Sequence, residues 1–288
     1  MLLPFPRALA ISVLLASPLA HAQTAPDLNA DQTPFKLYAN TYYVGVHGLS
    51  SVLITSSEGH VLIDAGLPDS APKIIANIAA LGFRIEDVKM IMNSHGHIDH
   101  AGGLGELQRR SDALVVASPS AALDLAAGEV GPDDPQYHAA ARYPPVTDMR
   151  LARDGNQFTT GSLKLTAHAT AGHTPGGLSW SWQSCEAGRC LQMVYADSLE
   201  PVSRPGFRFA ASSEYPNALA DFAHSFETLE KLPCDVLVTA HPEASQLWQR
   251  LAASAGKGTD AFVDAGACRA YAAAARTLLE ARLAAEKQ

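Results

Sequence analysis

Basic residues are scarce in this chain: 21 lysines and arginines stand against 29 acids in 288 residues, a formal charge of −8 at neutral pH. Nucleic-acid phosphates reward basic patches, so this balance weighs against a nucleic-acid partner. The apolar run Ala8–Ala20 falls short of the about 20 residues that a bilayer-spanning helix needs, so no stable membrane anchor is expected. Internal repeats are absent, as are low-complexity linkers beyond the polar stretch Gln23–Thr33. What is present reads as globular: 47% of residues are hydrophobic and 17% charged, in a chain long enough for one large domain. Histidines number 11, and their placement carries most of the information.

The N-terminus has a signal-peptide layout. Arg7 is its only early charge, the apolar run follows, and Ala20-His21-Ala22 places small residues at −3 and −1 before Gln23. Residues 1–22 are therefore expected to be removed on export to the periplasm, leaving 23–288 as a single domain. No cysteine near Gln23 offers a lipid-anchor site. The four cysteines fit an oxidising compartment. Cys185 and Cys190 flank a short turn between two apolar runs, and Cys234 and Cys268 would close a longer loop. Neither pair has the doubled spacing of a zinc ribbon, so disulfides are favoured over metal ligation. Four cysteines still allow three pairings.

Short β-rich runs are expected at 42–46, 51–55, 61–64, 88–92 and 113–117, with helices over 73–81 and 103–110. The Gly-, Pro- and Asp-rich stretch Gly128–Pro145 reads as a long surface loop. Strands follow at 157–159, 163–167, 178–182 and 192–195, then a helix over 218–231 and a strand at 236–239. The alanine-rich tail 259–286 reads as one or two amphipathic helices. Two runs of strands, each finished by helices, predict two sheets packed face to face with helices outside.

After the strand ending at Met92 comes Asn93-Ser94-His95-Gly96-His97-Ile98-Asp99-His100. Extended backbone alternates its side chains with a period of two, so His95 and His97 point the same way. Gly96 is expected to allow a tight turn between them. Asp99 and His100 fall where the chain bends into a helix, aimed at a second point nearby. Imidazoles and a carboxylate converging in this way suit zinc. Two further histidines stand at strand ends: His173 before a glycine-rich turn, and His241 directly before Pro242. His47, His60, His138, His168 and His224 lack such a context and are read as structural.

The frame His95-x-His97-x-Asp99-His100 with His173 and His241 resembles the metallo-β-lactamase fold, and subclass B3 in particular. Supporting motifs are Asp64-Ala65-Gly66, Gly172-His173-Thr174-Pro175-Gly176, Tyr195-Ala196-Asp197-Ser198-Leu199 and Pro233-Cys234-Asp235, together with the Cys234/Cys268 pair. The resemblance spans nearly all of 23–288 and implies an αββα sandwich of two mixed sheets. It implies two Zn2+ ions, the first on His95, His97 and His173, the second on Asp99, His100 and His241. It further implies hydrolysis of the β-lactam amide of penicillins, cephalosporins and carbapenems by a metal-bound hydroxide that Asp99 orients, and with it antibiotic resistance. Ser198 would help bind water or substrate. At position 200 the family often has a small hydroxyl residue for the substrate carboxylate, whereas this chain has Glu200. Glu200 must then turn outward or be offset by a cation such as Arg204. The same frame also serves thioester hydrolases resembling glyoxalase II, lactonases and RNA-processing nucleases, in many of which an aspartate near position 197 bridges the metals. Export, the acidic charge and the mere 47 residues after His241 disfavour these. No long apolar surface stripe stands out, so a monomer is expected.

Overall fold

The computed structural model describes residues 27–288, so the expected signal segment lies outside the described residues. Seven strands form the first sheet in sequence order: β1 (Phe35–Tyr38), β2 (Thr41–Tyr43), β3 (Val52–Ile54), β4 (His60–Ile63), β5 (Val88–Met92), β6 (Leu114–Ala117) and β7 (Met149–Leu151). β1 to β4 pair antiparallel, and β4 to β7 pair parallel. The second sheet comprises β8 (Gln157–Thr160), β9 (Leu163–Ala169), β10 (Leu178–Glu186), β11 (Arg189–Ala196) and β12 (Val236–Thr239), in the order β12-β11-β10-β9-β8. Only the β11–β12 pairing is parallel.

The runs Val52-Leu53-Ile54 and Val61-Leu62-Ile63 are apolar throughout because both faces of their sheet are covered. Val52, Ile54, Val61 and Ile63 turn inward against Leu165, Trp180, Trp182 and Tyr195 of the second sheet. Leu53 and Leu62 turn outward beneath α1 (Ala71–Ala80), α3 (Leu104–Ser111) and α4 (Pro119–Ala127). Between α1 and α3 lies the four-residue α2 (Ile98–Ala101). On the far side, Val194 and Leu237 carry Phe222 and Phe226 of α5 (Ala218–Lys231) and Ala272 and Leu279 of α7 (Ala267–Ala285). The layers are helix, sheet, sheet, helix, the sandwich that the two strand runs predict.

Five of the labelled elements fall outside the sequence expectations: β1, α2, α4, β7 and α6 (Leu247–Lys257). α4 has a readable start, since Ser118 caps it by accepting from the Ala121 amide at 3.1 Å and Pro119 opens its first turn. β7 is an edge strand whose Arg150 and Leu151 are exposed, so it lacks an apolar alternation. The stretch 128–145 contains no helix or strand, as expected. Disulfides join Cys185 to Cys190 across the β10–β11 turn and Cys234 to Cys268, tying the start of β12 to α7.

Candidate metal centre

Parallel strands deliver the site. β4 ends before Asp64, β5 before the histidine run, β11 before Asp197 and Ser198, and β12 before His241. Loops at strand ends collect chemistry because the sheet holds them rigidly while their side chains stay free. The chain bends at Gly96 without a positive φ, so the bend itself does not demand glycine. Glycine is required there because a Cβ would come within 2.7 Å of the Asp124 side chain.

His95, His97 and His173 bring one nitrogen each together, and His95 also neighbours Asp99 and His100, each group's donor atoms lying within 4.8 Å of one another. His97 Nδ1 lies 3.2 Å from His173 Nε2. His241 joins from β12, its Nε2 lying 3.3 Å from His100 Nε2 and 3.5 Å from Asp99 Oδ2. All six donors named from the sequence therefore come together; His97, Asp99, His173 and His241 line one cleft, and His95 and His100 lie buried beneath it. His168 instead bonds Ser181 within the second sheet, and His47 stacks on Trp248. His60 approaches the Ser56 amide and His224 the Thr228 hydroxyl, away from the cluster.

The nitrogen facing away from the cleft is occupied in most of these rings. His95 Nδ1 meets Asp197 Oδ1 at 2.7 Å, and His97 Nε2 meets both Asp134 oxygens at 3.1 Å. His173 Nδ1 donates to the Glu200 carbonyl at 2.6 Å, and His241 Nδ1 to the Gly48 carbonyl at 3.3 Å. His100 Nδ1 stands 3.5 Å from Asp64 Oδ2. The hydrogen bonds to His95, His97, His173 and His241 each fix a tautomer and leave the other nitrogen's lone pair for a ligand, whereas His100 Nδ1 forms no hydrogen bond. Asp64 is itself clamped by the Ser94 amide and hydroxyl and by Tyr195. It sits at φ 56°, a strained conformation for a non-glycine residue.

The outer contacts made by Asp134, Asp197, Asp64 and Gly48 are not expected from the sequence, although Asp64 and Asp197 stand within motifs that carry the family resemblance. Nothing in Gly131-Pro132-Asp133-Asp134-Pro135 separates Asp134 from its neighbour.

Burial dominates the electrostatics. It lowers the His95 pKa well below the ordinary imidazole value, with the neighbouring imidazoles adding to the shift. Burial likewise takes His173 to about 3 and His241 to about 4. Burial alone would also lower His100, but Asp99 and Asp64 outweigh it and raise the group to about 10. Burial would raise Asp99, yet His100 and His241 hold it well below the usual carboxylate range. Burial and the nearby Asp64 push Asp197 well up.

The donor set fits divalent metal. His95 Nε2 is fully buried with no hydrogen-bond partner, a position costly for a polar atom unless it is ligated. Neutral imidazoles with one ionised carboxylate are the ligands that zinc-like cations prefer.

A cleft of about 320 Å³ opens over these groups and is lined also by Gln136, Ser198, Glu200 and Val202. Gln136 Nε2 approaches His97 Nδ1 at 3.4 Å. The Ser198 hydroxyl is buried without a protein partner. Glu200 is exposed, and Arg204 does not offset it: its guanidinium is bound to the Asp134 and Pro135 carbonyls and to the Glu214 carboxylate.

Residues 44–241 match the Metallo-beta-lactamase superfamily. Among solved structures, Rm3 metallo-beta-lactamase is 79% identical, with a TM-score of 0.90 over 91% of this chain and 97% of that one. MEM-A1, a subclass B3 metallo-beta-lactamase from a soil metagenome library, is 49% identical, with a TM-score of 0.89 over 91% and 99%. A hydroxyacylglutathione hydrolase of Anaeromyxobacter dehalogenans is 31% identical over 131 residues, 46% of this chain. That match covers 41% of the relative's own length. The chain belongs to the metallo-beta-lactamase superfamily, within its subclass B3 branch.

Proposed function

We propose that this protein hydrolyses the β-lactam amide bond of penicillins, cephalosporins and carbapenems, using two zinc ions. His95, His97 and His173 would hold one, and Asp99, His100 and His241 the other. When bound, such ions supply Lewis acidity and make water ionisable near neutral pH. The chain's own side chains do the positioning. Asp99, held ionised by its histidine neighbours, would accept a hydrogen bond from the attacking water and orient it. The Ser198 hydroxyl, which has no protein partner and lines the cleft, would bond a substrate oxygen. Asp197, Asp134 and the Glu200 carbonyl keep the three first-group imidazoles in one tautomer and one orientation.

The observation that carries this reading is the convergence of all six donors beneath one open cleft. The partial match to a hydroxyacylglutathione hydrolase favours a second reading, action on a thioester or lactone. Asp197 speaks against it: the side chain is fully buried and bonded to the outer face of His95, away from a bridging position. Export of 1–22, a single domain over 23–288 and a periplasmic, monomeric enzyme conferring antibiotic resistance complete the proposal. The two disulfides support the oxidising compartment. Among the described residues no helix is long and apolar enough to cross a membrane.

The test is metal analysis of the purified protein, with nitrocefin and S-lactoylglutathione turnover measured before and after chelation. Two metals per chain and chelator-sensitive nitrocefin hydrolysis are expected. Turnover of the thioester but not of nitrocefin would select the second reading.

A further inference from the structure

The charges around the cleft are unbalanced. Its lining contains two carboxylates, Asp99 and Glu200, and no lysine or arginine. Asp99 lies among the histidines, whereas Glu200 is exposed at the cleft and forms no ion pair among the described residues. Arg204, the cation nearest in sequence, is fully engaged with Glu214 and the 134–135 carbonyls. Arg282 is spent on Glu286, Ser203 and the Phe207 carbonyl. Nor is Glu200 free to drift. Its carbonyl accepts from both His173 Nδ1 at 2.6 Å and the Val202 amide at 2.9 Å, which fixes its backbone beside the metal-facing imidazoles.

We propose that Glu200 determines specificity: it makes this cleft favour β-lactams that carry a cationic group over those that carry only carboxylates. The proposal rests on the β-lactam reading above. Part of any bound substrate extends toward the opening, because His97 and His173 are nearly buried while Glu200 and Val202 meet solvent. There an anionic substituent meets an uncompensated carboxylate, and a cationic one finds its ion partner. Solvent screening keeps the effect moderate, and added salt should erode it.

The test uses metal-loaded 23–288 protein, wild type and Glu200→Gln, and two small thiols of opposite charge, mercaptoacetate and cysteamine. Dissociation constants are read by titration calorimetry at low and high salt. Glu200→Gln should tighten mercaptoacetate about three- to tenfold and weaken cysteamine by a similar factor, with both shifts shrinking in high salt. The KM of a cephalosporin with a neutral C3 substituent should fall. The KM of its quaternary-ammonium counterpart should rise, with kcat little changed for either. Shifts of the same sign for both thiols, shifts below twofold, or no binding of either thiol would overturn the assignment. If wild type opened no β-lactam at all, the reaction reading would fall, while the thiol pair would still decide the role of Glu200.

Discussion

On one side of the cleft, the imidazoles of His95, His97 and His173 are at most 6% exposed, and each has its outer nitrogen held at 3.1 Å or less. On the other side, Asp99 and His241 have side chains 24% and 35% exposed, and the outer contacts of His100 and His241 lengthen to 3.5 and 3.3 Å. The first group is preorganised by its partners before any ligand arrives. The second relies more on the ligand itself to draw its donors together. Metal should therefore bind the first group more tightly, since less ordering remains to be done there.

The largest contrast is expected from removing one donor on each side. His95→Ala takes away the ring that neighbours both groups and should leave the chain nearly metal-free, with turnover down about 10³-fold or more. His241→Ala should keep about one metal per chain and lose about 10²-fold. Metal mass spectrometry with nitrocefin kinetics reads both. Equal metal loss in the two variants would erase the asymmetry.

Next in size is the scaffold. Cys234–Cys268 closes a 34-residue separation just ahead of the strand that carries His241. Cys234→Ser should cost about 3–4 kcal/mol in unfolding, and Cys185→Ser about 2, with little change in turnover. Denaturant titration measures the first and metal content the second consequence. Selective loss of the second metal in Cys234→Ser would make the bridge, rather than the outer hydrogen bonds, the source of the difference.

Asp134→Asn sharpens the first group alone. It removes the charge facing His97 Nε2 and should weaken metal binding there about 10- to 100-fold in a competition with chelator. An unchanged affinity would mean that burial alone orders that ring.

The smallest effect is on the pH dependence of the metal-free protein. His173 near 3 and His241 near 4 lie below the unfolded histidine value of about 6.5. The unfolded chain therefore takes up protons that the folded chain refuses, and stability falls as pH drops from about 6.5 toward 4 and then 3. His100, raised to about 10, acts in reverse: its stabilisation is complete below about pH 6.5 and is lost as pH climbs toward 10. A melting temperature of the chelated protein that peaks near pH 6.5 is expected. His100→Gln should flatten the alkaline limb and, by removing the charge beside His241 and His95, shift the acid limb only slightly.

Both sheets were legible because their strands are short, apolar and bounded by turn residues, and because a run such as Val61-Leu62-Ile63 reads as buried on both faces. α6 escaped because its buried contribution is small, with Leu247 its one fully buried residue. β1 and β7 escaped because brief edge strands carry too few residues for a period to show. Four of the six donors were legible as a single run, and His173 and His241 as histidines at strand ends. Asp134 was not, since its neighbour Asp133 has the same chemistry and only the path of the 128–145 loop turns one of them inward.

From the chain alone came the donors themselves: the two-residue period of extended backbone sets His95 beside His97, and the following helical turn sets Asp99 and His100. Tertiary structure alone decided which nitrogen of each ring faces the cleft and that Glu200 stands there without a cation. The outer partners lie 27 to 193 positions from the rings they hold, so only the packing of two sheets could bring them within hydrogen-bonding distance.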